Sequence, residues 1–485
     1  MQLKALKAPG ASHRTDAFVV FRTKGGARKL AAVPDAALRK AGEAALKSSE
    51  FGGGAGETLL LHGGSNGRRL VLAGCGDSKK PSGDDLRAAA ASAARAASGD
   101  NIKRVTYLSP GGAAEAGLVA EGVGLALYSF DAMKSGKAKK VAACEVAPES
   151  GKSEGVAAAV KRANAIVAGA CLTRDLGNLP GNVANAAYLA KRARELAGGG
   201  VTVKVHDRAG INRLKMGAFA AVALGSANEP RFIEMKYRGA KKSAPTIALV
   251  GKGVTFDTGG ISLKPGAKME DMKFDMCGGG TVIGTMHAIK ALKLKVNVDA
   301  YVPATDNMPA ATAYRPGDIV TARNKKTIEV INTDAEGRLL LCDALAYAAE
   351  KKPSCLIDLA TLTGACVVAL GDVASGLFSN DDKLRSDLEA AGKAVGEMAW
   401  PLPLHETFTK MMRGTYADLK NSGGRWGGAC TAAAFLEQFV ADCTWAHIDI
   451  AGVAWTEKDK GYHRVGATGY GVRLLVEFLS RRAES

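Results

Sequence analysis

Short apolar runs alternate with helix-like segments along the first third of the chain. The runs DAFVVFRT, RRLVLAG and KRVTYLSP have the length and β-branched content of buried strands, and alanine-rich stretches such as DDLRAAAASAARAAS lie between them. Strands that alternate with helices predict an α/β domain. From residue 152 to residue 176 the apolar positions have a helical spacing that ends at the Gly and Pro of LGNLPGN. This stretch predicts a helix that links the first domain to a second.

The rest of the pattern predicts a larger second domain. Its expected helices are ANAAYLAKRARELA, TVIGTMHAIKALK, RLLLCDALAYAAEKK, TAAAFLEQFV and GVRLLVEFLSRRA, and its expected strands include VTVKVHD, AFAAVALG, RFIEMKYR and VNVDAYVPA. We therefore predict a two-domain α/β fold, with a smaller N-terminal α/β domain over residues 1–150, a linker helix over 151–178 and a larger C-terminal α/β domain over 179–485. We expect a mixed twisted sheet flanked by helices in the larger domain.

Composition narrows the class of protein. Hydrophobic residues make up 47% of the 485 residues and charged residues 23%, which indicates a globular chain and excludes a disordered or collagen-like one. No apolar run reaches the roughly 18 residues of a membrane span, and no signal-peptide pattern is present, so we expect a cytoplasmic protein without membrane partners. The nine cysteines include no CxxC pair and are expected to be reduced core thiols.

The net charge of +17 is unevenly distributed along the chain. Residues 1–165 hold 25 Lys and Arg against 15 Asp and Glu, an excess of 10. The segments RTKGGARK (22–29) and KSGKAKK (134–140) have the charge to meet the phosphates of DNA. Because no aromatic residues are interleaved with these charges, a solvated, solubilising surface is the favoured interpretation.

The candidate chemistry lies between Ile247 and Leu341, where charged residues interrupt apolar and glycine-rich sequence. They are Lys252, Asp257, Lys264, Asp275, Asp334, Glu336 and Arg338. Four carboxylates without His or Cys form an oxygen-rich set that suits Mg²⁺ or Mn²⁺ and also accepts Zn²⁺. One cation does not need four acids, so two divalent cations about 3.5–4 Å apart explain the cluster best. Lys264 and Arg338 then remain as donors to a developing oxyanion or a bound anion.

Simpler structural explanations compete at several positions. Acids beside glycine often serve as turn or cap residues, but three of them in two loops that also carry cations favour metal ligands. His287 and His447 fall within a predicted helix and a predicted strand and are interpreted as structural. Gly278–Gly280 precede a helix without a Walker lysine, which argues against a phosphate loop. The G-x-S-x-G string at residues 63–67 leads into a strand, so it is interpreted as a hairpin turn.

Two strings in this region carry a family resemblance. Asn332–Leu339 is NTDAEGRL, and Gly251–Met276 fits GKGxTFDSGGxxxKP followed by MxxMKxDM, with Thr258 in place of serine. At these residues the chain resembles the leucyl aminopeptidase, or cytosol aminopeptidase, family. The similarity continues through IDLATLTGA, GGACTAAAFLEQF and HIDIAG, and so covers most of the chain after about Arg174. Cys277–Gly280 depart from the family's more common Gly-Gly-Ala-Ala, at positions that are not implied ligands.

The resemblance implies a metal-dependent aminopeptidase in which a water activated by two metals releases N-terminal residues, leucine and similar ones, from peptides. Residues 179–485 would form the catalytic domain. The implied ligands are Asp257, Asp334 (side chain and carbonyl) and Glu336 for one cation, and Lys252, Asp257, Asp275 and Glu336 for the other. Mn²⁺ and Zn²⁺ are the implied metals, with Mg²⁺ as a third candidate.

Further residues and partners are also implied only by the resemblance. Lys264 and Arg338 match the family's two catalytic positions, and a bicarbonate bound at Arg338 would serve as general base. Met272, Thr361, Leu362 and Gly364 match the substrate side-chain pocket. The implied assembly is a homohexamer of two trimers. Two alternatives stay open: a two-metal phosphohydrolase, and an additional DNA-binding or regulatory role through the basic N-terminal third, since some bacterial members of the family also bind DNA.

Overall fold

The computed structural model describes residues 2–10, 12–48, 50–98, 102–136 and 141–484. The chain divides into two compact units. The N-terminal unit comprises Met1–Ala168 with Lys458–Val465, and the C-terminal unit comprises Gly169–Glu457 with Gly466–Ser485. The division falls within helix α4 (Val156–Asn178), which occupies most of the predicted linker. Of the basic segment KSGKAKK, residues 137–140 lie outside the described residues.

The N-terminal unit is built on one mainly parallel sheet. Its elements are β1 (Lys4–Ala5), β2 (Ala17–Arg22), α1 (Ala36–Ala45), β3 (Thr58–Leu61), β4 (Arg69–Gly74), α2 (Gly83–Ala96), β5 (Arg104–Ser109), α3 (Ala113–Ala126) and β6 (Ala143–Pro148). The strand order is β1-β6-β5-β2-β4-β3, and all neighbours are parallel except β3 and β4. All six residues of β2 are buried, as expected for a strand covered on both faces. The strands and helices predicted for this region are confirmed.

Helix α1 has no counterpart among the predicted elements. It begins after Asp35, whose carboxylate accepts hydrogen bonds from the N–H of Leu38 at 3.1 Å and of Ser65 at 2.9 Å. Its buried positions are Leu38, Gly42 and Ala45. Because that face carries a single large apolar side chain, the helical period in the sequence is weak.

The G-x-S-x-G string forms the predicted hairpin turn. β3 and β4 pair antiparallel, with Leu59 opposite Leu72, and Ser65–Gly67 form a single 3₁₀ turn between them. Asn66 has a φ of 58°, a conformation that asparagine tolerates better than most residues. The strand β4 comes directly after this turn, where a nucleophile elbow requires a helix, so Ser65 does not sit on such an elbow.

The C-terminal unit contains a larger, mixed sheet. The strands of this unit are β7 (Val201–His206), β8 (Arg231–Arg238), β9 (Thr246–Gly251), β10 (Gly253–Asp257), β11 (Asn297–Asn307), β12 (Ile319–Thr321), β13 (Thr327–Glu329), β14 (Cys355–Ala360), β15 (Ser375–Ser379), β16 (Ala399–Pro401), β17 (Leu419–Lys420), β18 (Trp445–Asp449), β19 (Trp455–Thr456) and β20 (Gly466–Ala467). Two small sheets, β12-β13-β17 and β19-β20, are separate from the main one. The main sheet has the order β16-β15-β18-β14-β9-β11-β8-β7, and β10 also pairs with β11. The central strands β18, β14, β9 and β11 are parallel, whereas β15, β8 and β7 run antiparallel to their inner neighbours.

Helices cover this sheet and enclose its core. They are α5 (Ala186–Arg194), α6 (Arg208–Arg213), α7 (Gly217–Val222), α8 (Cys277–Leu292), α9 (Gly337–Ala349), α10 (Gly364–Leu370), α11 (Asp382–Val395), α12 (Glu406–Met411), α13 (Gly428–Glu437) and α14 (Val472–Glu484). Both α8 and α9 pack on the central strands β9 and β14. Every residue of α9 is buried, as expected for a helix that lies inside the core. The two-domain α/β fold with a mixed sheet is confirmed.

The strand predicted over AFAAVALG is wrong. This segment forms α7, followed by a 3₁₀ turn at Ala223–Gly225. Alanine has the highest helix propensity, and a short apolar run cannot be assigned to strand or helix from its period alone. Tertiary contacts favour the helix: the N–H of Phe219 donates to Asp343 Oδ2 at 2.9 Å, and Phe219 and Val222 are fully buried.

Two further expectations concern cysteine and membrane segments. All nine cysteines are free, and six of them are buried, which confirms the prediction of reduced thiols. Within the described residues one helix, α4, is long and apolar enough to cross a membrane, but 56% of its most apolar window is buried inside the protein. Such burial is typical of a core helix, and a single helix of this kind is weak evidence for a membrane span.

Candidate metal centre

The candidate residues lie where the central strands of the C-terminal unit end. Lys252 directly follows β9, and Asp257 is the last residue of β10. Asp334 and Glu336 lie in the loop that leads into α9. Asp275 is the next-to-last residue of a 3₁₀ segment, Met269–Met276, that leads into α8. Ligand sites in α/β sheets occupy this edge, outside the carboxyl ends of parallel strands.

Three carboxylates form the centre of the cluster. Asp257, Asp334 and Glu336 each offer an oxygen atom, and these atoms lie within 4.8 Å of one another. Lys264 Nζ lies 2.9 Å from Asp257 Oδ2 and 2.5 Å from Asp334 Oδ1. Burial lowers the pKa of Lys264, but Asp257, Glu336 and Asp334 outweigh it, so the pKa is raised and the ammonium stays charged.

Lys252 connects this centre to Asp275. Its Nζ lies 2.7 Å from Asp275 Oδ1 and 2.9 Å from Glu336 Oε1, and it donates to the Thr361 carbonyl at 2.8 Å. The side chain is 3% exposed. Desolvation alone would lower the pKa of Lys252, but the carboxylates Asp275, Glu336 and Asp257 raise it. The amine is therefore protonated as long as no other cation balances these acids.

The acids carry more negative charge than their protein partners neutralise. Burial raises the pKa of Asp275, Glu336 and Asp334 above the usual range, and mutual repulsion adds to this effect. Asp275 Oδ2 and Glu336 Oε2 are buried and accept no hydrogen bond within the described residues. Buried anionic oxygens without donors are costly unless a cation binds them. The oxygen-rich donor set therefore fits divalent metal ions.

Arg338 adds a buried cation beside the cluster. The side chain is 8% exposed, and its Nε has no hydrogen-bond acceptor within the described residues. Burial lowers the pKa of Arg338 to about 10, while Glu336, Asp449 and Asp334 act in the opposite direction. At neutral pH the guanidinium is charged, and its Nε–H is available to donate a hydrogen bond. A site for a planar anion requires such a donor.

Close backbone contacts fix the position of Lys252. A Cβ atom at Gly337 would lie 2.5 Å from Lys252 Cε, so a larger residue would displace the lysine. A Cβ atom at Gly278 would lie 2.2 Å from the Leu359 carbonyl oxygen. The glycines at the start of α8 thus allow the helix to approach the strands that carry the site, which gives the Gly278–Gly280 run a packing role.

Sequence reasoning missed the residues that tie the two ligand loops together. Asn307 Nδ2 donates to Asp257 Oδ1 at 2.8 Å and to the Thr333 carbonyl at 3.0 Å. Thr333 Oγ1 donates to the Gly259 carbonyl at 2.6 Å, and Tyr314 OH donates to the Thr333 carbonyl at 2.7 Å. In the sequence, Asn307 is visible only as an amide shortly after the apolar strand VNVDAYVPA.

The residues predicted to contact the substrate side chain lie on two segments. Met272 is half-buried in the 3₁₀ segment before α8. Thr361 is buried, Leu362 is half-buried and Gly364 is exposed in the loop that follows β14. Thr361 Oγ1 donates to Asp275 Oδ1 at 2.8 Å, so this loop is bonded directly to the carboxylate cluster.

Both candidate histidines lie in regular elements, and His447 has an acidic partner. In β18, His447 Nδ1 lies 2.6 Å from Asp358 Oδ1, and both side chains are almost fully buried. Burial lowers the pKa of His447, but Asp358 outweighs that effect and raises it. In α8, burial and Lys290 lower the pKa of His287. The predicted positions of both residues, one in a strand and one on a helix, are confirmed.

Carboxylates and lysines gathered at the carboxyl ends of parallel strands define a metal-dependent α/β enzyme. The model of the cytosol aminopeptidase family's catalytic domain matches residues 171–476, and the model of its N-terminal domain matches residues 18–137. The chain belongs to the cytosol aminopeptidase family and is a metal-dependent aminopeptidase, a hydrolase of peptide bonds.

Individual relatives agree with this assignment over nearly the whole chain. A protein of Syntrophotalea carbinolica named "Probable cytosol aminopeptidase" is 47% identical over 464 residues, which are 92% of this chain and 93% of the relative. One of the same name from Burkholderia pseudomallei is 47% identical over 90% of this chain and 89% of its own length.

Solved structures extend the similarity to the fold. A mutant of tomato leucine aminopeptidase superposes with a TM-score of 0.88 at 34% identity, covering 99% of this chain and 96% of that one. The bottromycin maturation enzyme BotP in complex with Mn superposes with a TM-score of 0.87 at 32% identity, covering 97% and 100%.

Proposed function

We propose that the protein removes leucine and similar residues from the N-termini of peptides with the help of two divalent cations. The observation that carries the proposal is the cluster of Asp257, Asp334 and Glu336, joined through Lys252 to Asp275. Four acids exceed what one cation requires, and the buried oxygens without hydrogen bonds support a second. The Mn bound in BotP supports manganese as one of the metals, with Zn²⁺ and Mg²⁺ as alternatives.

Each cation has its own set of proposed ligands, which share two residues. The first set is Asp257, Asp334 (side chain and carbonyl) and Glu336, and the second is Lys252, Asp257, Asp275 and Glu336. When bound, such cations supply Lewis-acid polarisation of a carbonyl and an acidified water. A free, unprotonated N-terminal amine could itself serve as a ligand to such a cation, which would restrict hydrolysis to the first residue of a peptide.

The chain's own cations are proposed to act on the reacting peptide. Lys264 is 23% exposed, so its ammonium can reach a substrate, and we assign it to the developing oxyanion. Arg338 is assigned to hold a bicarbonate through its planar fork of donors, and the anion would supply a general base. The side-chain pocket is assigned to Met272, Thr361, Leu362 and Gly364. Met272 and Leu362 offer apolar surface and none of the four is charged, which suits leucine better than a charged residue.

Removal of metal gives the direct test. After exhaustive chelation we expect hydrolysis of leucine p-nitroanilide to fall to background, and readdition of Mn²⁺, Zn²⁺ or Mg²⁺ to restore it. The same preparation should not hydrolyse p-nitrophenyl phosphate, the substrate that a two-metal phosphohydrolase would accept. Leucine p-nitroanilide turnover that survives thorough chelation would contradict the proposal.

We also propose a cytoplasmic homohexamer. The relatives are named cytosol aminopeptidases, and large apolar side chains are exposed on and after α10, with Val368 90% and Val373 63% exposed. Exposed apolar groups of this kind favour self-association. Light scattering should give about six times the chain mass of 50.0 kDa. A stable, fully active monomer would exclude the hexamer.

The DNA-binding alternative gains no support from the comparisons. Within the basic segment 22–29, Arg22 is buried and pairs with Glu149 at 2.5 Å, and Lys24 lies 3.6 Å from Asp77. These cations therefore have acidic partners of their own. We retain the solubilising interpretation of the basic surface and do not propose a role in DNA binding.

A further inference from the structure

The buried amide side chain of Asn421 holds one side of the loop between β13 and α9. Asn421 follows the short strand β17 and is fully buried, at 0% exposure. Its Oδ1 accepts from the Ile331 N–H at 2.7 Å and the Asn332 N–H at 3.3 Å. Its Nδ2 donates to the Asn332 carbonyl at 2.7 Å and to the Ala335 carbonyl at 3.4 Å. The amide thus directs all its hydrogen bonds to the main chain of this loop.

Strand pairing explains how Asn421 reaches this position. β17 pairs parallel with β13, with Leu419 opposite Ile328, and the Asn421 N–H donates to the Glu329 carbonyl at 2.9 Å. Leu419 is buried in the core and anchors the strand. The backbone ladder ends at Asn421, and from there its side chain continues the pairing into the loop.

The opposite side of the same loop is held by different residues. Thr333 Oγ1 donates to the Gly259 carbonyl, and the Thr333 carbonyl accepts from Asn307 and Tyr314. Asn421 contacts the residues before and after this point, so the loop is fixed from two directions. The side chain of Asp334, which lies between these anchors, is 34% exposed, and solvent exposure alone would leave it mobile.

We propose that Asn421 is a positioning residue for the metal centre, setting the main-chain path on both sides of Asp334. The inference rests on the proposed function, in which Asp334 contributes its carboxylate and its main-chain carbonyl. A side-chain ligand can adjust its rotamer, but a carbonyl ligand moves only with the backbone. The buried amide of Asn421 therefore fixes the position of the Asp334 carbonyl, the proposed ligand that cannot adjust by rotating a side chain. Residues that hydrogen-bond to metal ligands have this orienting role in other metalloproteins.

A matched control exists in the same unit. Asn297, at the start of β11, is 1% exposed, and its Nδ2 donates to the carbonyls of Lys241 at 2.9 Å and Ala244 at 3.4 Å. Its Oδ1 accepts from the Ala240 N–H at 3.3 Å. Asn297→Ala removes three side-chain hydrogen bonds to the main chain, where Asn421→Ala removes four. The turn that Asn297 holds carries none of the proposed ligands.

The experiment measures Mn²⁺ binding by calorimetry to chelator-treated protein, together with thermal unfolding of the metal-free form. Both alanine variants should lower the metal-free Tm to a similar extent. Only Asn421→Ala should weaken Mn²⁺ binding, by at least about tenfold, and lower kcat at saturating Mn²⁺. Asn297→Ala should bind Mn²⁺ within about twofold of wild type.

If Asn421→Ala does not fold, Asn421→Ser carries the same test, since it adds no buried charge and replaces the amide's two N–H donors and its acceptor with one short hydroxyl. Wild-type Mn²⁺ affinity in the folded Asn421 variant, or an equal loss of affinity in Asn297→Ala, would overturn the inference. Failure of the proposed function appears separately, as wild-type protein that neither binds Mn²⁺ nor depends on a metal for activity.

Discussion

Asp257→Ala is expected to abolish aminopeptidase activity and to lower the metal content from two cations per chain toward none. Asp257 is assigned to both cations, and it lies within 4.8 Å of Asp334 and Glu336. Removal of a shared ligand should exceed the roughly 10–100-fold loss typical of an outer partner. Elemental analysis after dialysis, combined with kcat for leucine p-nitroanilide, checks this expectation.

Lys252→Met should have a different effect on stoichiometry. Lys252 is assigned to one cation, which it binds only as a neutral amine, so metal and proton compete for its lone pair. The variant should retain about one tightly held cation per chain. A Lys252→Met protein with two tightly held ions and full activity would show that the lysine is not a ligand.

Another buried carboxylate in the same unit provides the control for both variants. Asp343 accepts from the N–H groups of Phe219 and Arg323 at 2.9 and 2.7 Å, and burial raises its pKa to about 7. Asp343→Asn removes a buried titratable carboxyl group that makes no contact with the cluster in the described hydrogen bonds. Metal content and kcat should stay near wild type.

Arg338→Lys is expected to lower kcat sharply while both cations remain bound. The guanidinium offers a planar fork of donors, whereas lysine offers a point charge, so the exchange is not conservative at a site for a planar anion. Loss of one preorganised donor typically costs about 10²–10³-fold in kcat. Arg338→Ala should reach that range, and Arg338→Lys should fall between it and wild type.

Arg323→Lys is the control substitution for Arg338→Lys. The Arg323 guanidinium also forms a fork, with Glu350 at 2.9 and 2.7 Å, but outside the cluster. Arg323→Lys should leave kcat and metal content unchanged. If Arg338→Ala loses its cations as Asp257→Ala does, Arg338 has the role of a ligand and the assignment to an anion is wrong.

The sequence allowed most elements of the fold to be predicted, because buried strands such as β2 and β9 are continuous apolar runs. α1, α7 and α11 were among the exceptions. Gly42 and Ala45 give α1 little hydrophobic signal, and the alanines of α7 have no distinctive period. Their conformation is decided by contacts such as that between Phe219 and Asp343, which local sequence does not contain.

The candidate site was predictable to the extent that its residues share two short strings. The charged residues of GKGVTFD and NTDAEGR stand out because charge is rare next to buried strands. Asn307 and Asn421 are isolated amides from other segments, and their importance lies in which carbonyl and N–H groups they meet. Such partners depend on how strands pair over long sequence distances, a property that no local spacing reports.

The close approach of α8 to β9 bears on how this enzyme can be redesigned. A Cβ atom at Gly251 would lie 2.5 Å from the Gly278 carbonyl oxygen, so helix and strand touch through their main chains. This main-chain contact does not involve the side chains of Met272 and Leu362. A library that varies Met272 and Leu362 can therefore alter the choice of substrate. The distance between β9 and α8, and with it the relative placement of Lys252 and Asp275, should stay the same in every variant.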